Sequence, residues 1–167
     1  MMDRKQFIQS GIIGLSGMFA LPVFALKNSM ITDPIPLATV EEFVKAGHND
    51  LEKVKAMLEE IPNLIYARHD WGNGDFEEAI EGAGHVGNKE IANYLIEKGA
   101  RVNLFVLTML GQFNLVKPTL KAYPKLIHAK GPHGFTMLHH AKIGGEASKG
   151  LYEWLIENGL KETKVKM

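Results

Sequence analysis

The residues best suited to chemistry in this chain are its histidines and the acidic side chains near them. His133, His139 and His140 fall in or beside the stretch Gly134-Phe135-Thr136-Met137-Leu138-His139-His140-Ala141. Histidines this close in sequence raise metal ligation, or acid and base work near neutral pH. Adjacent residues on a helix point about 100° apart, so His139 and His140 cannot readily chelate one ion together. His48, His85, His133 and Asp75 form a second set, widely spaced along the chain. A metal or acid–base site built from them requires convergence in space, which spacing alone does not supply. No nucleophile stands at a supporting distance from a base. The sequence therefore assigns no catalytic residues, no metal ligands and no cofactor.

A third element is Asp70-Trp71-Gly72-Asn73-Gly74-Asp75-Phe76-Glu77. Its length predicts a protruding finger. Gly72 and Gly74 permit positive φ there. Asp75 reads as the N-cap of a following helix, worth about 1 kcal/mol. Trp71 has two readings, a local core over the loop or an exposed anchor for a partner. The glycines are not a phosphate loop, since no Lys-Ser or Lys-Thr follows.

These residues need elements to position them. The 167-residue chain allows one ordinary domain, and 46% hydrophobic with 23% charged residues is a globular composition. Zero formal net charge argues against a general nucleic-acid binder, which needs a basic surface. The absence of cysteine excludes disulfides, thiolate metal sites and a cysteine nucleophile.

Residues 1–26 have the anatomy of a signal peptide. Arg4 and Lys5 precede an apolar run from Ile12 to Ala25, and a cleavage site falls near Ala25. Gly14, Gly17 and Pro22 interrupt the run, which is short for a spanning helix; a retained anchor is the alternative. The order Arg4-Lys5-Gln6-Phe7-Ile8 resembles a twin-arginine export signal, with Lys5 in place of the second arginine. That resemblance implies a bacterial protein folded before export to the periplasm. Residues 27–37 are a linker broken by Pro34 and Pro36.

The mature chain repeats internally. Ile61-Pro-Asn-Leu-Ile-Tyr-Ala-Arg68 matches Tyr123-Pro-Lys-Leu-Ile-His-Ala-Lys130. Their prolines stand at 62 and 124, nearly two units of about 33 residues apart. Apolar stripes at helical spacing mark four longer helices: Leu51/Val54/Met57/Leu58, Ile91/Ala92/Leu95/Ile96, Leu115/Val116/Thr119/Leu120 and Leu151/Trp154/Leu155/Ile156. Gly99 and Gly159 lie just past two of them, where a left-handed residue closes the last turn. A shorter helix is predicted before each, at Glu41–Gly47, Glu77–Ala83, Leu104–Leu110 and Thr136–Ile143. No segment alternates strongly enough to predict a sheet. Pro118 removes a hydrogen bond inside the third long helix and predicts a kink.

Gly134-Phe135-Thr136-Met137-Leu138-His139-His140-Ala141 resembles the ankyrin-repeat signature G-x-T-P-L-H-x-A, with Met137 at the proline. Gly99-Ala100-Arg101-Val102-Asn103 resembles the repeat ending G-A-x-x-N. The resemblance implies an all-α solenoid of about four helix-turn-helix units with short hairpin loops over residues 38–160, followed by a polar tail, 161–167. Thr136, Leu138 and His139 match its structural motif, and the Thr and His of that motif bond to the start of the short helix and to the next repeat. The family consists of protein-binding scaffolds. The resemblance therefore implies another protein as partner, held on the concave face by Trp71, Asp75, Phe76, His85, His133, Phe135 and His48. Met109 and Leu110, in the shortened third unit, map near the same face. The twin-arginine resemblance suggests a helper for an exported enzyme. The alternative is a small metal-binding or hydrolytic protein using the concave-face histidines. No nucleic acid and no stable membrane insertion are expected, and the unbound chain is expected to be a monomer.

Overall fold

The computed structural model describes residues 33–167; the segment expected to be a signal peptide and most of the expected linker lie outside them. The described chain is mostly helical, in keeping with an all-α reading. Among the described residues eight α-helices run in chain order: α1 Leu37–Asn49, α2 Leu51–Glu60, α3 Ala79–Val86, α4 Lys89–Glu97, α5 Leu104–Met109, α6 Phe113–Ala122, α7 Met137–Ile143 and α8 Lys149–Glu157. None is long and apolar enough to cross a membrane.

One expectation fails at once. A two-stranded antiparallel ribbon, β1 Arg68–Asp70 and β2 Phe76–Glu78, precedes α3. The finger at 71–75 is the turn of this hairpin. Gly72, Asn73 and Gly74 all have positive φ, a run that only a glycine-rich turn adopts cheaply. Three residues per strand are too few to show alternation in the sequence. The pairing also puts Glu77 in a strand rather than in a helix.

The helices pack as pairs. α1 packs on α2, α3 on α4, α5 on α6 and α7 on α8, while α1, α3, α5 and α7 contact one another in that order. α1 and α3 approach so closely that a Cβ on Gly47 would run into the backbone of Ala79. The helix predicted at Glu41–Gly47 is longer than expected and carries His48 in its last turn. Asp50 both ends α1 and caps α2, its carboxylate accepting from the Lys53 N–H at 3.0 Å.

The sequence repeat is a repeat of backbone geometry. After α2 and after α6 the chain turns through a residue of nearly equal conformation, Ile61 (φ −131°, ψ 82°) and Tyr123 (φ −129°, ψ 74°). Each then enters a 3₁₀ turn, Pro62–Tyr66 or Pro124–His128. Proline suits both starts because its missing N–H has no partner to lose there. Gly99 and Gly159 adopt the left-handed conformation expected of them. α6 runs from Phe113 to Ala122 as one helix with Pro118 inside it.

Two apolar cores result. One joins α1 to α5 around Phe43, Val54, Leu64, Ile80, Ile91 and Leu95. The other joins α6, α7 and α8 around Val116, Met137, Leu151 and Leu155. Met109, read from the sequence as near an open face, is fully buried. The tail packs across the last units. The Thr136 N–H donates to the Thr163 carbonyl, and the Val165 N–H to the Gly134 carbonyl.

Candidate functional site

His48, His85 and His133, set apart by 37 and more residues, meet around Glu77. α1 delivers His48 from its last turn, α3 delivers His85, β2 delivers Glu77, and the 3₁₀ turn Pro132–Gly134 delivers His133. One ligand atom from each of the four lies within 4.8 Å of every other. Nε2 of His48 and Nε2 of His85 are 3.0 Å apart. Oε1 of Glu77 is 2.8 Å from Nε2 of His85 and 3.6 Å from Nε2 of His48. Oε2 is 3.5 Å from Nε2 of His133.

Local sequence explains the placement. Gly82 faces the His48 ring, and a Cβ there would meet Cε1 and Nδ1 at 2.8 Å. The junction of β2 and α3 is fixed by charge. The Glu78 N–H donates to the Glu81 carboxylate at 2.8 Å, Arg68 reaches both Glu78 and Glu81, and Arg101 reaches Glu78. Burial, aided by Glu81, pushes the Glu78 carboxyl up against the opposing pull of Arg101 and Arg68. That network leaves the next residue back, Glu77, pointing into the histidines.

Glu77 is fully buried. Burial pushes its carboxyl up, but the His85 contact, the charges of His48 and His85 and the Trp71 N–H outweigh it, holding the group below its ordinary value. Oε2 accepts from Nε1 of Trp71 at 2.8 Å. Oε1 accepts no well-directed hydrogen bond, despite its short distance to His85. Trp71 thus takes the local-packing role, with its ring against the first core and its N–H on Glu77.

A second layer orients the rings. Nδ1 of His48 donates to the Val44 carbonyl at 3.0 Å. Nδ1 of His133 donates to Oδ2 of Asp75 at 2.7 Å, and the His133 backbone N–H donates to Oδ1 at 2.8 Å. Burial opposes ionisation of Asp75, yet these two bonds, the His133 charge and Lys164 hold its carboxyl low. Asp75 is therefore not the helix N-cap that the sequence suggested; that position is Glu78. Phe135 lies between His85 and His139, stacked on both at 5.1 and 4.1 Å between ring centres. The Lys164 ammonium sits 4.6 Å from the Phe135 ring centre.

The remaining sequence candidates fall outside the cluster. Phe76 is exposed at the hairpin. Nε2 of His139 donates to the His85 carbonyl at 2.8 Å, tying α7 to α3. The bond at the start of its own helix belongs instead to His140, whose Nδ1 donates to the Thr136 carbonyl at 2.8 Å. The Thr136 hydroxyl donates to the Glu162 carbonyl rather than capping α7. Leu138 is core. Sequence reasoning missed Glu77, the residue at the centre. Nothing in the sequence marks it, since in Phe76-Glu77-Glu78 the aromatic is exposed and both carboxylates are buried, the reverse of what the residue types suggest.

No protein-family model, no curated protein and no solved structure matches this chain.

Proposed function

We propose that the chain is an exported ankyrin-type binding module that holds another protein on the face built by α1, α3, α5 and α7 and by the loops at 71–75 and 131–135. The observation that carries this reading is the ordered contact of those four helices, each backed by its own partner helix. A unit of this kind cannot bury its apolar face alone and stacks on its neighbours, leaving one side for binding. Asp75 and His133 join the two loops across 58 residues, so Trp71, His85, His133 and Phe135 share one side of the stack. Phe76 adds an exposed aromatic at the rim. The sequence at 1–26 supports export, cleavage near Ala25 and a periplasmic site of action. The folded-cargo character of that signal favours a role as helper to an exported enzyme.

Native mass spectrometry of the periplasmic protein, produced in its own host with its own leader, tests this. The expected result is a defined complex that is lost in Phe76→Asp and kept in Tyr123→Asp, a substitution at a still more exposed aromatic elsewhere. A monomer in every sample, or equal loss in both variants, defeats the reading.

A second reading, a metal-binding protein, is favoured by one observation: the buried Glu77 oxygen left without a directed donor.

A further inference from the structure

We propose that His48, Glu77, His85 and His133 form a mononuclear site for a divalent first-row transition metal, with Zn²⁺ the reference ion. The site goes beyond the partner-binding reading and stands whether or not a protein occupies that face.

The argument begins with protons. The Val44 carbonyl can only accept, so Nδ1 of His48 carries the hydrogen and a neutral His48 offers a lone pair at Nε2. Asp75 does the same for His133, leaving a lone pair at its Nε2. A carboxylate at Glu77 offers lone pairs from both oxygens, one of them already taken by the Trp71 N–H. Two acceptors, His48 and Glu77, therefore converge on Nε2 of His85, while the lone pair of His133 faces Oε2 of Glu77 with no donor between them. A single N–H on Nε2 of His85 can point at His48 or at Glu77, not both, and Oε1 of Glu77 is the atom left over. A buried carboxylate oxygen without a donor is costly. One cation at the centre, with the His85 proton on Nδ1, satisfies all four groups together.

The distances suit such an ion. A tetrahedral ion with metal–nitrogen bonds of about 2.05 Å has ligand atoms about 3.3 Å apart. The separations of 2.8, 3.0 and 3.6 Å among His85, His48 and Oε1 of Glu77, and 3.5 Å from His133 to Oε2, lie around that value, and all the ligand atoms fall within 4.8 Å of one another, so a modest closure completes the shell. The supports also suit it. Metal-bound histidines characteristically donate their second nitrogen to a carbonyl or carboxylate, and ligating carboxylates are themselves hydrogen-bonded. Val44, Asp75 and Trp71 supply those partners for His48, His133 and Glu77. Gly82 leaves the space that the His48 ring fills.

Ligand chemistry sets the metal class. Three imidazoles with one carboxylate suit Zn²⁺, Co²⁺, Ni²⁺ or Mn²⁺. Mg²⁺ and Ca²⁺ want oxygen shells, and the chain has no thiolate for softer ions. Four protein donors close a tetrahedral shell, which is the pattern of a structural ion. It would clamp α1, β2, α3 and the Pro132–Gly134 turn. His48 and His133 are part-exposed, which gives the ion a way in.

The test uses the full chain, stripped with a chelator and titrated with Zn²⁺ by calorimetry and with Co²⁺ by visible absorption. The expected result is one ion per chain, tetrahedral Co²⁺ bands, and a Tm raised by Zn²⁺. His133→Gln, at the exposed edge, should lower affinity at least 100-fold, roughly the upper range seen even for outer-shell losses, and Asp75→Asn roughly 10-fold. His128→Gln, an exposed histidine outside the cluster, should change nothing. Glu77→Gln and His85→Gln should abolish binding; circular dichroism establishes whether each folds, and His133→Gln decides the matter if they do not. No stoichiometric binding by the folded wild type, or equal binding by wild type and His133→Gln, overturns the proposal. The first outcome leaves a network held by protons alone, and the second places the ion elsewhere.

Discussion

His133 gives both its backbone N–H and its Nδ1–H to one carboxylate, that of Asp75, 58 residues earlier in the chain. This double bond of contacts docks the loop before α7 onto the hairpin before α3. It also sets which His133 nitrogen faces Glu77. Hydrogen bonds to a charged group contribute about 1.5–3 kcal/mol each. Asp75→Ala should therefore destabilise the fold by roughly 2–3 kcal/mol after solvent screening of this rim position. Urea unfolding of Asp75→Ala, His133→Ala and the double variant should show coupling of at least about 1 kcal/mol. Additive losses would mean that the two loops dock through other contacts.

The approach of α1 to α3 turns on Gly47. A Cβ at this position meets the Ala79 backbone, which cannot rotate away as a side chain could. Gly47→Ala should cost about 1–3 kcal/mol, the usual penalty for overpacking. It should also displace His48, one residue on, and so weaken the histidine cluster. Gly150 is the contrast, since a Cβ in the first turn of α8 meets nothing. Gly150→Ala should stabilise by roughly 0.5–1 kcal/mol. Thermal melts of the two variants should move in opposite directions.

The helices were legible because their signals are periodic. The stripes Leu51 to Leu58 and Leu151 to Ile156 fall on α2 and α8, and the proline-led copies at 62 and 124 fold alike. The hairpin was not legible, because three residues per strand carry no period and Gly72-Asn73-Gly74 fits a loop equally well. The site was half legible. His48, His85, His133, Asp75, Trp71 and Phe135 could be named from helix ends and loop positions. Their meeting point could not, because Glu77 gains its role only from the strand that turns it inward. Asp75 misled for the same reason: an acidic residue before a helix reads as a cap, while its true partner lies in a distant loop.

Pro118 tests how far packing overrides local preference. α6 spans Phe113–Ala122 with Pro118 inside it and exposed. The proline has no N–H for the Asn114 carbonyl, and its ring crowds the preceding turn. Packing of Val116 and Leu120 into the second core holds the helix together regardless. Pro118→Ala should restore the bond and stabilise the protein by about 1–3 kcal/mol, with no loss of partner or metal binding. A neutral or negative change in urea midpoint would show that the proline is accommodated without cost.

His140 should make stability fall in mild acid. It lies in the second core beside Phe105, with Nδ1 on the Thr136 carbonyl. Burial lowers its pKa from the usual 6.5 to about 4, the Thr136 bond opposing and the neighbouring His139 and His85 adding a little. Lys142, in the last turn of the same helix, and His139 are the other basic side chains on that helix. His139 is itself lowered, chiefly by burial. Above pH 6.5 the ring is neutral both folded and unfolded, and the fold has its full stability. Between 6.5 and 4 the unfolded chain takes up the proton while the folded chain resists it, so stability drains away by about 3 kcal/mol. Below about 4 both states are protonated and this loss stops growing. Carboxylates titrate in the lower part of the same range, so the measurement is a difference. Urea unfolding at pH 7 and pH 4 should show a loss roughly 3 kcal/mol smaller in His140→Asn than in the wild type. Equal losses would mean that the buried ring accepts its proton as readily as a free one.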